Sequence, residues 1–198
     1  GMIASNRIDP NGRKAQSVGY PLPGVEILVV SQDGQDVSPG DVGEVWVRGD
    51  NVFKGYWRMP QKTDESFENS WLKTGDLGYQ DPRDDARLYL VGRAKELIIT
   101  GGYNVYPKEV ENVLEGHAAI REAAVIGLPD MDFGEKVTAV VVRNESHTEL
   151  TSESLISYCK SHLANYKCPK MVFFVDVLPR NAMGKLQKNE LTNRFIGE

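Results

Sequence analysis

Cysteine, histidine, long apolar runs and surplus positive charge are all scarce in this chain, and each scarcity removes a class of protein. Only two cysteines occur, Cys159 and Cys168. Two thiols cannot make a disulfide framework; they are expected to be buried or inert in a reducing, cytoplasmic setting. The three histidines, His117, His147 and His162, stand apart among polar neighbours. They lack metal-ligand spacing and are expected on the surface, so no metal site is expected from these residues. No apolar run approaches the ~20 residues a membrane-spanning helix needs, and the first residues carry no signal-peptide pattern. The formal net charge of −5 argues against a nucleic-acid partner. Repeats and low-complexity segments are missing as well.

What is present is ordinary for a folded protein. The 198 residues are 40% apolar and 26% charged, enough for one large domain or two small ones. Residues 1–24 have little apolar periodicity, with turn signals at Pro10-Asn11-Gly12 and Pro21-Leu22-Pro23-Gly24. Such a start reads as the middle of a larger protein. From 25 to 92 the pattern is mostly β. Strands are expected at 25–30, 43–49, 71–79 and 87–91, with a turn at Asp33-Gly34, a short helix at 60–67 and an acidic turn at 81–85. A small barrel or sandwich is the expected class. After Lys95 the period changes. A helix at 107–116, strands at 122–128, 137–142 and 171–175, a helix capped by Thr151, and a last helix at 188–195 predict a compact α+β domain. The expected organisation is 1–92, a joint at 93–95, and a small domain at 96–198.

One stretch, 92–111, joins the two patterns. Arg93 and Lys95 follow Gly92; apolar runs at 97–100 and 103–106 flank Gly101-Gly102; Pro107 then opens a helix. Paired glycines between two β-like runs supply the positive φ of a hairpin turn, and proline suits the first helical position. Lys108 reads as a surface charge at the helix start.

Two further motifs suggest chemistry. In Lys73-Thr74-Gly75-Asp76-Leu77-Gly78, an aspartate beside a glycine can aim two acceptor oxygens at vicinal hydroxyls. The same residues also make a plain turn. Gly184-Lys185 lies in a polar loop, 179–185, directly before a helix. Such a lysine is ordinarily a solvated charge.

In order and spacing, the three motifs resemble those of the adenylate-forming enzymes: acyl-CoA synthetases, luciferases and the adenylation domains of peptide synthetases. The resemblance covers essentially all of residues 19–190. It implies that Asp76 binds the adenosine ribose, that Arg93 contacts ribose and phosphate, and that Lys95 is the hinge about which the small domain rotates. It further implies that Gly101 and Gly102 line the pantetheine channel and that Lys185 is the catalytic lysine of adenylation. Adenylation joins a carboxylate to an α-phosphate, and a cation between two anions stabilises the transition state.

Segments 51–60, 100–108, 132–142 and 178–189 also resemble bacterial malonyl-CoA synthetases. The implied activity is that of an AMP-forming acid–CoA ligase, with ATP/AMP, Mg2+ and CoA as cofactors and a carboxylic acid as substrate. The family's phosphate loop, magnesium-binding glutamate and acyl pocket have no counterpart in the sequence. The resemblance therefore implies a C-terminal part, inactive alone, whose partner is the remaining N-terminal part of the same enzyme. The alternatives are a ligase for longer fatty or aryl acids, an adenylation domain loading a carrier protein, and a non-catalytic binding module.

Overall fold

The computed structural model describes residues 2–31, 33–145 and 149–197, so His147 lies outside the described residues. The chain divides into two compact units, Gly1–Lys95 and Glu96–Glu198.

The first unit is one curled antiparallel sheet, in keeping with the barrel-like subdomain expected from its short strands. Its strands are β1 (Ala4–Ser5), β2 (Ser17–Pro21), β3 (Val25–Val30), β4 (Gly43–Gly49), β5 (Phe67–Glu68), β6 (Trp71–Asp81) and β7 (Arg87–Arg93). They run in the order β1-β2-β7-β6-β4-β3, with β5 beside β6. Helix α1 (Pro60–Ser66) carries proline at its start. Strands β1 and β2 escape the sequence pattern. They lack apolar alternation and hold their place by pairing, Ala4 opposite Pro21 and Gly19 opposite Leu88. A Cβ at Gly19 would lie 2.0 Å from the Ser5 carbonyl oxygen, so only glycine fits there. Val29, Val45 and Leu88 form the core of this unit.

The second unit is a five-stranded sheet with helices on both faces. Its strands are β8 (Ile98–Thr100), β9 (Tyr103–Val105), β10 (Ile120–Asp130), β11 (Gly134–Arg143) and β12 (Met171–Phe174). Its helices are α2 (Pro107–Glu115), α3 (Ser152–His162) and α4 (Lys188–Phe195). Alternation along β10 and β11 divides the core. Ala123, Val125, Val137, Ala139 and Val141 pack with Val110 and Leu114 of α2 and with Leu155 and Cys159 of α3. Ala124, Ile126, Leu128, Val140 and Val142 pack with Leu191 and Phe195 of α4. With both faces covered, the strands read as unbroken apolar runs.

Local signals start each helix. Pro107 opens α2. Thr151 caps α3, accepting from the Ser154 N–H, while the Ser154 hydroxyl accepts from the Thr151 N–H, a reciprocal cap. Both cysteines are buried, and burial pushes the Cys159 thiol up to about 11. Neither is a nucleophile in waiting. His117 departs from the surface expectation. It is half-buried, with its ring edge-on to Tyr158, and its Nδ1 accepts from the Ala119 N–H just past the end of α2. His162 is exposed.

Candidate functional site

The sheet brings Asp76 and Arg93 together. They face each other across β6 and β7, and Arg93 Nε lies 2.9 Å from Asp76 Oδ1. The pair stands where β6 leaves the ladder. Trp46 pairs with Lys73 and Glu44 with Leu77, so Thr74, Gly75 and Asp76 all stand opposite Val45. Such a bulge re-aims a side chain.

Hydrogen bonds hold the bulge from below. The Thr74 hydroxyl donates to the Val45 carbonyl at 2.6 Å and accepts from the Asp76 N–H at 3.0 Å. Arg93 also donates to the Thr74 carbonyl at 3.3 Å. Glu44 accepts the Gly75 N–H through Oε1 and the Trp46 indole N–H through Oε2, both at 3.0 Å. Glu44 and Thr74 are thus supports that sequence reasoning missed. Glu44 read as the outward half of an alternation, and nothing local marks it as half-buried.

Gly75 adopts φ +71°, yet a Cβ there would meet nothing within 4 Å. Replacing it by alanine therefore costs only backbone strain, about 1–2 kcal/mol for an L-residue in the left-handed region. Gly75→Ala is expected to bring the first unit's unfolding transition earlier by that amount, read by chemical denaturation. An unchanged transition would show that the bulge relaxes freely.

Lys95 is exposed and lies in a single 3-10 turn, Ala94–Glu96. In the second unit, Gly101 (φ +56°) and Gly102 (φ +81°) form the two-residue loop between β8 and β9, with Thr100 opposite Tyr103. Positive φ at both positions defines a type I′ turn. The segment 132–135 buttresses this hairpin. The Gly101 N–H donates to the Phe133 carbonyl at 2.8 Å, and Glu135 accepts the Ile99 N–H at 2.7 Å. A Cβ at Gly102 would meet no atom within 4 Å, so the turn presents bare backbone. Lys108 is exposed and pairs with Glu115 of its own helix at 3.4 Å.

Lys185 is exposed, after Gly184 at φ +78°. Its loop is closed by its own bonds. Asn181 Oδ1 accepts from the N–H groups of both Met183 and Lys185, at 3.0 and 2.9 Å. The Asn181 N–H donates to the Lys185 carbonyl, and the Gln187 N–H to the Pro179 carbonyl. Arg180 donates to the Gly184 carbonyl at 2.9 Å and pairs with Glu122 of β10 at 2.6 Å. The backbone beneath Lys185 is therefore stapled and anchored to the sheet while its side chain stays in solvent. Asn181 was visible in principle, since asparagine favours such turns; Arg180 was not, because its partner is distant in sequence.

Among the described residues no group of three or more histidine, cysteine or acidic side chains is arranged to hold a metal. None of their helices is long and apolar enough to cross a membrane.

Two family models match the chain, the AMP-binding enzyme over residues 1–57 and the AMP-binding enzyme C-terminal domain over residues 109–185. A long-chain-fatty-acid–CoA ligase of Yersinia pestis is 43% identical over 180 residues, covering 91% of this chain and 31% of the relative. The crystal structure of ATP-bound MatB from Rhodopseudomonas palustris superposes with a TM-score of 0.91 at 45% identity, over 98% of this chain and 38% of that one. The o-succinylbenzoate CoA synthetase of Bacillus subtilis, in complex with its acyl-adenylate intermediate, gives a TM-score of 0.84 at 44% identity, over 93% and 37%. The chain spans about a third of the length of the curated relatives it matches.

Proposed function

The chain belongs to the AMP-binding, adenylate-forming enzymes, and on that premise we propose that its full-length parent is an AMP-forming acid–CoA ligase. In the first half-reaction a substrate carboxylate oxygen attacks the α-phosphorus of ATP. The bond to pyrophosphate breaks, and an acyl-adenylate forms. In the second, the CoA thiol attacks the acyl carbon, loses its proton, and AMP leaves.

The observation that carries this reading is the presentation of Lys185. An exposed ammonium on a stapled loop can reach a ligand without its backbone having to reorganise. In the proposed role Lys185 lies against the two reacting anions and stabilises the charge that gathers between them. Asp76, held by Arg93, offers acceptor oxygens to the ribose hydroxyls, and Arg93 offers its guanidinium to ribose and phosphate. The bare Gly101–Gly102 turn is read as a wall for the thin pantetheine arm of CoA. Lys95 is read as the pivot between the half-reactions. A magnesium ion would neutralise phosphate charge.

For the acid we propose malonate. Support comes from the four segments like those of malonyl-CoA synthetases and from the likeness to MatB, an enzyme of that kind. A cytoplasmic setting fits two buried, unpaired thiols.

The test is a panel of acids given to the full-length parent with ATP, Mg2+ and CoA. The expected products are one AMP and one pyrophosphate per acyl-CoA, with malonate the best acid. Formation of ADP and phosphate would overturn the reaction class. Acylation of a carrier protein but never of CoA would overturn the acceptor, and preference for a long-chain acid would overturn malonate.

A further inference from the structure

Lys188 sits where helix physics does not want it. It is the first residue of α4, and the N-terminus of a helix is the positive end of its dipole, which disfavours a cation. No side chain caps that end. The side chain is only 14% exposed, and desolvating an ammonium is costly unless it is paired. Two carboxylates supply the pairing. Lys188 Nζ lies 2.6 Å from Glu111 Oε1 and 3.1 Å from Glu96 Oε2. Glu111 is nearly buried, and the same Oε1 accepts the Val125 N–H at 3.0 Å. A partly buried ion cluster adds little net stability compared with an apolar replacement. What it supplies is a fixed geometry among the segments that carry its members.

Those segments are the ones that matter. Glu96 directly follows Lys95. Glu111 lies on α2, the helix entered from the Gly101–Gly102 hairpin. Lys188 follows Lys185 by three residues, and the Gln187 N–H beside it closes the loop on the Pro179 carbonyl. One ammonium therefore fastens the base of the lysine loop to the exit of the 3-10 turn and to α2.

We propose that Lys188 is a positioning residue that acts through Lys185, locking the lysine loop to the segment leaving the pivot so that rotation at Lys95 carries Lys185 to a defined place. The inference rests on the function proposed above. Its test uses the full-length parent, with single-turnover adenylation measured for Lys188→Met, Lys188→Arg and Glu96→Gln. Each is made both with Lys185 intact and in a Lys185→Ala background. Misplacing a catalytic group costs roughly ten- to a hundredfold. Lys188→Met is expected to slow adenylation by that factor, and Lys188→Arg to restore most of it, since a guanidinium can meet both carboxylates. Glu96→Gln, which leaves Lys188 paired with Glu111, is expected to slow it about fivefold.

In the Lys185→Ala background none of the three should slow the reaction further, because the group being positioned is gone. Slowing by the same factor in both backgrounds would reduce Lys188 to a structural role and overturn the proposal. Unchanged rates in folded variants would do the same. If Lys188→Met does not fold, the Glu96→Gln pair decides alone. If Lys185→Ala itself adenylates at the parent's rate, the function reading fails, and this inference with it.

Discussion

Replacing Lys185 by alanine in the full-length parent is expected to slow acyl-adenylate formation by roughly a hundred- to a thousandfold, the usual cost of losing one transition-state contact of this kind. The same variant should transfer an acyl group from supplied acyl-adenylate to CoA at close to the parent's rate. The asymmetry follows from charge. Only the first half-reaction presses a carboxylate against a phosphate, and only there does an ammonium between them matter. Stability should be unaffected, because Lys185 is exposed and its loop is held by Asn181 and Arg180 rather than by its own side chain. Equal loss of both half-reactions would contradict the assignment.

The second large effect concerns Lys95. Its exposed side chain in a single 3-10 turn gives alanine little to remove, and a surface truncation ordinarily shifts energies by no more than about 0.5 kcal/mol, or roughly twofold in rate. Lys95→Ala should stay near that limit in both half-reactions. Proline differs, since it fixes φ at about −65° and removes a backbone donor. Lys95→Pro is expected to leave adenylation nearly intact and to slow CoA transfer roughly a hundredfold, as expected of a thiol that cannot be brought into line. Single-turnover kinetics of each half-reaction, on variants whose unfolding midpoints match the parent's, reads the contrast. Alanine as damaging as proline would make Lys95 a catalytic group instead of a pivot.

Much of the second unit was legible because its signals are local. Pro107 at a helix start, Thr151 with Ser154 three residues on, and paired glycines between two apolar runs each fix a piece of backbone without help from afar. The first unit gave less. Strands β1 and β2 exist through pairing across the sheet, and no period in residues 1–24 announces them. The site divides in the same way. Gly75-Asp76 and Gly184-Lys185 stand out as glycine-flanked polar residues, so sequence alone singles them out. Glu44, Arg180 and Lys188 do not. Their partners Gly75, Glu122, Glu96 and Glu111 lie tens of residues away, and each reads as a surface charge until the fold joins it to them.

The central claim is that a carboxylate is activated on AMP before CoA enters. Acid-dependent exchange of labelled pyrophosphate into ATP by the full-length parent, with CoA left out, tests it most directly. The account predicts exchange that needs both the acid and Mg2+, proceeds without CoA, and nearly vanishes in Lys185→Ala. Exchange that appears only when CoA is present, or that survives the loss of Lys185, would contradict it.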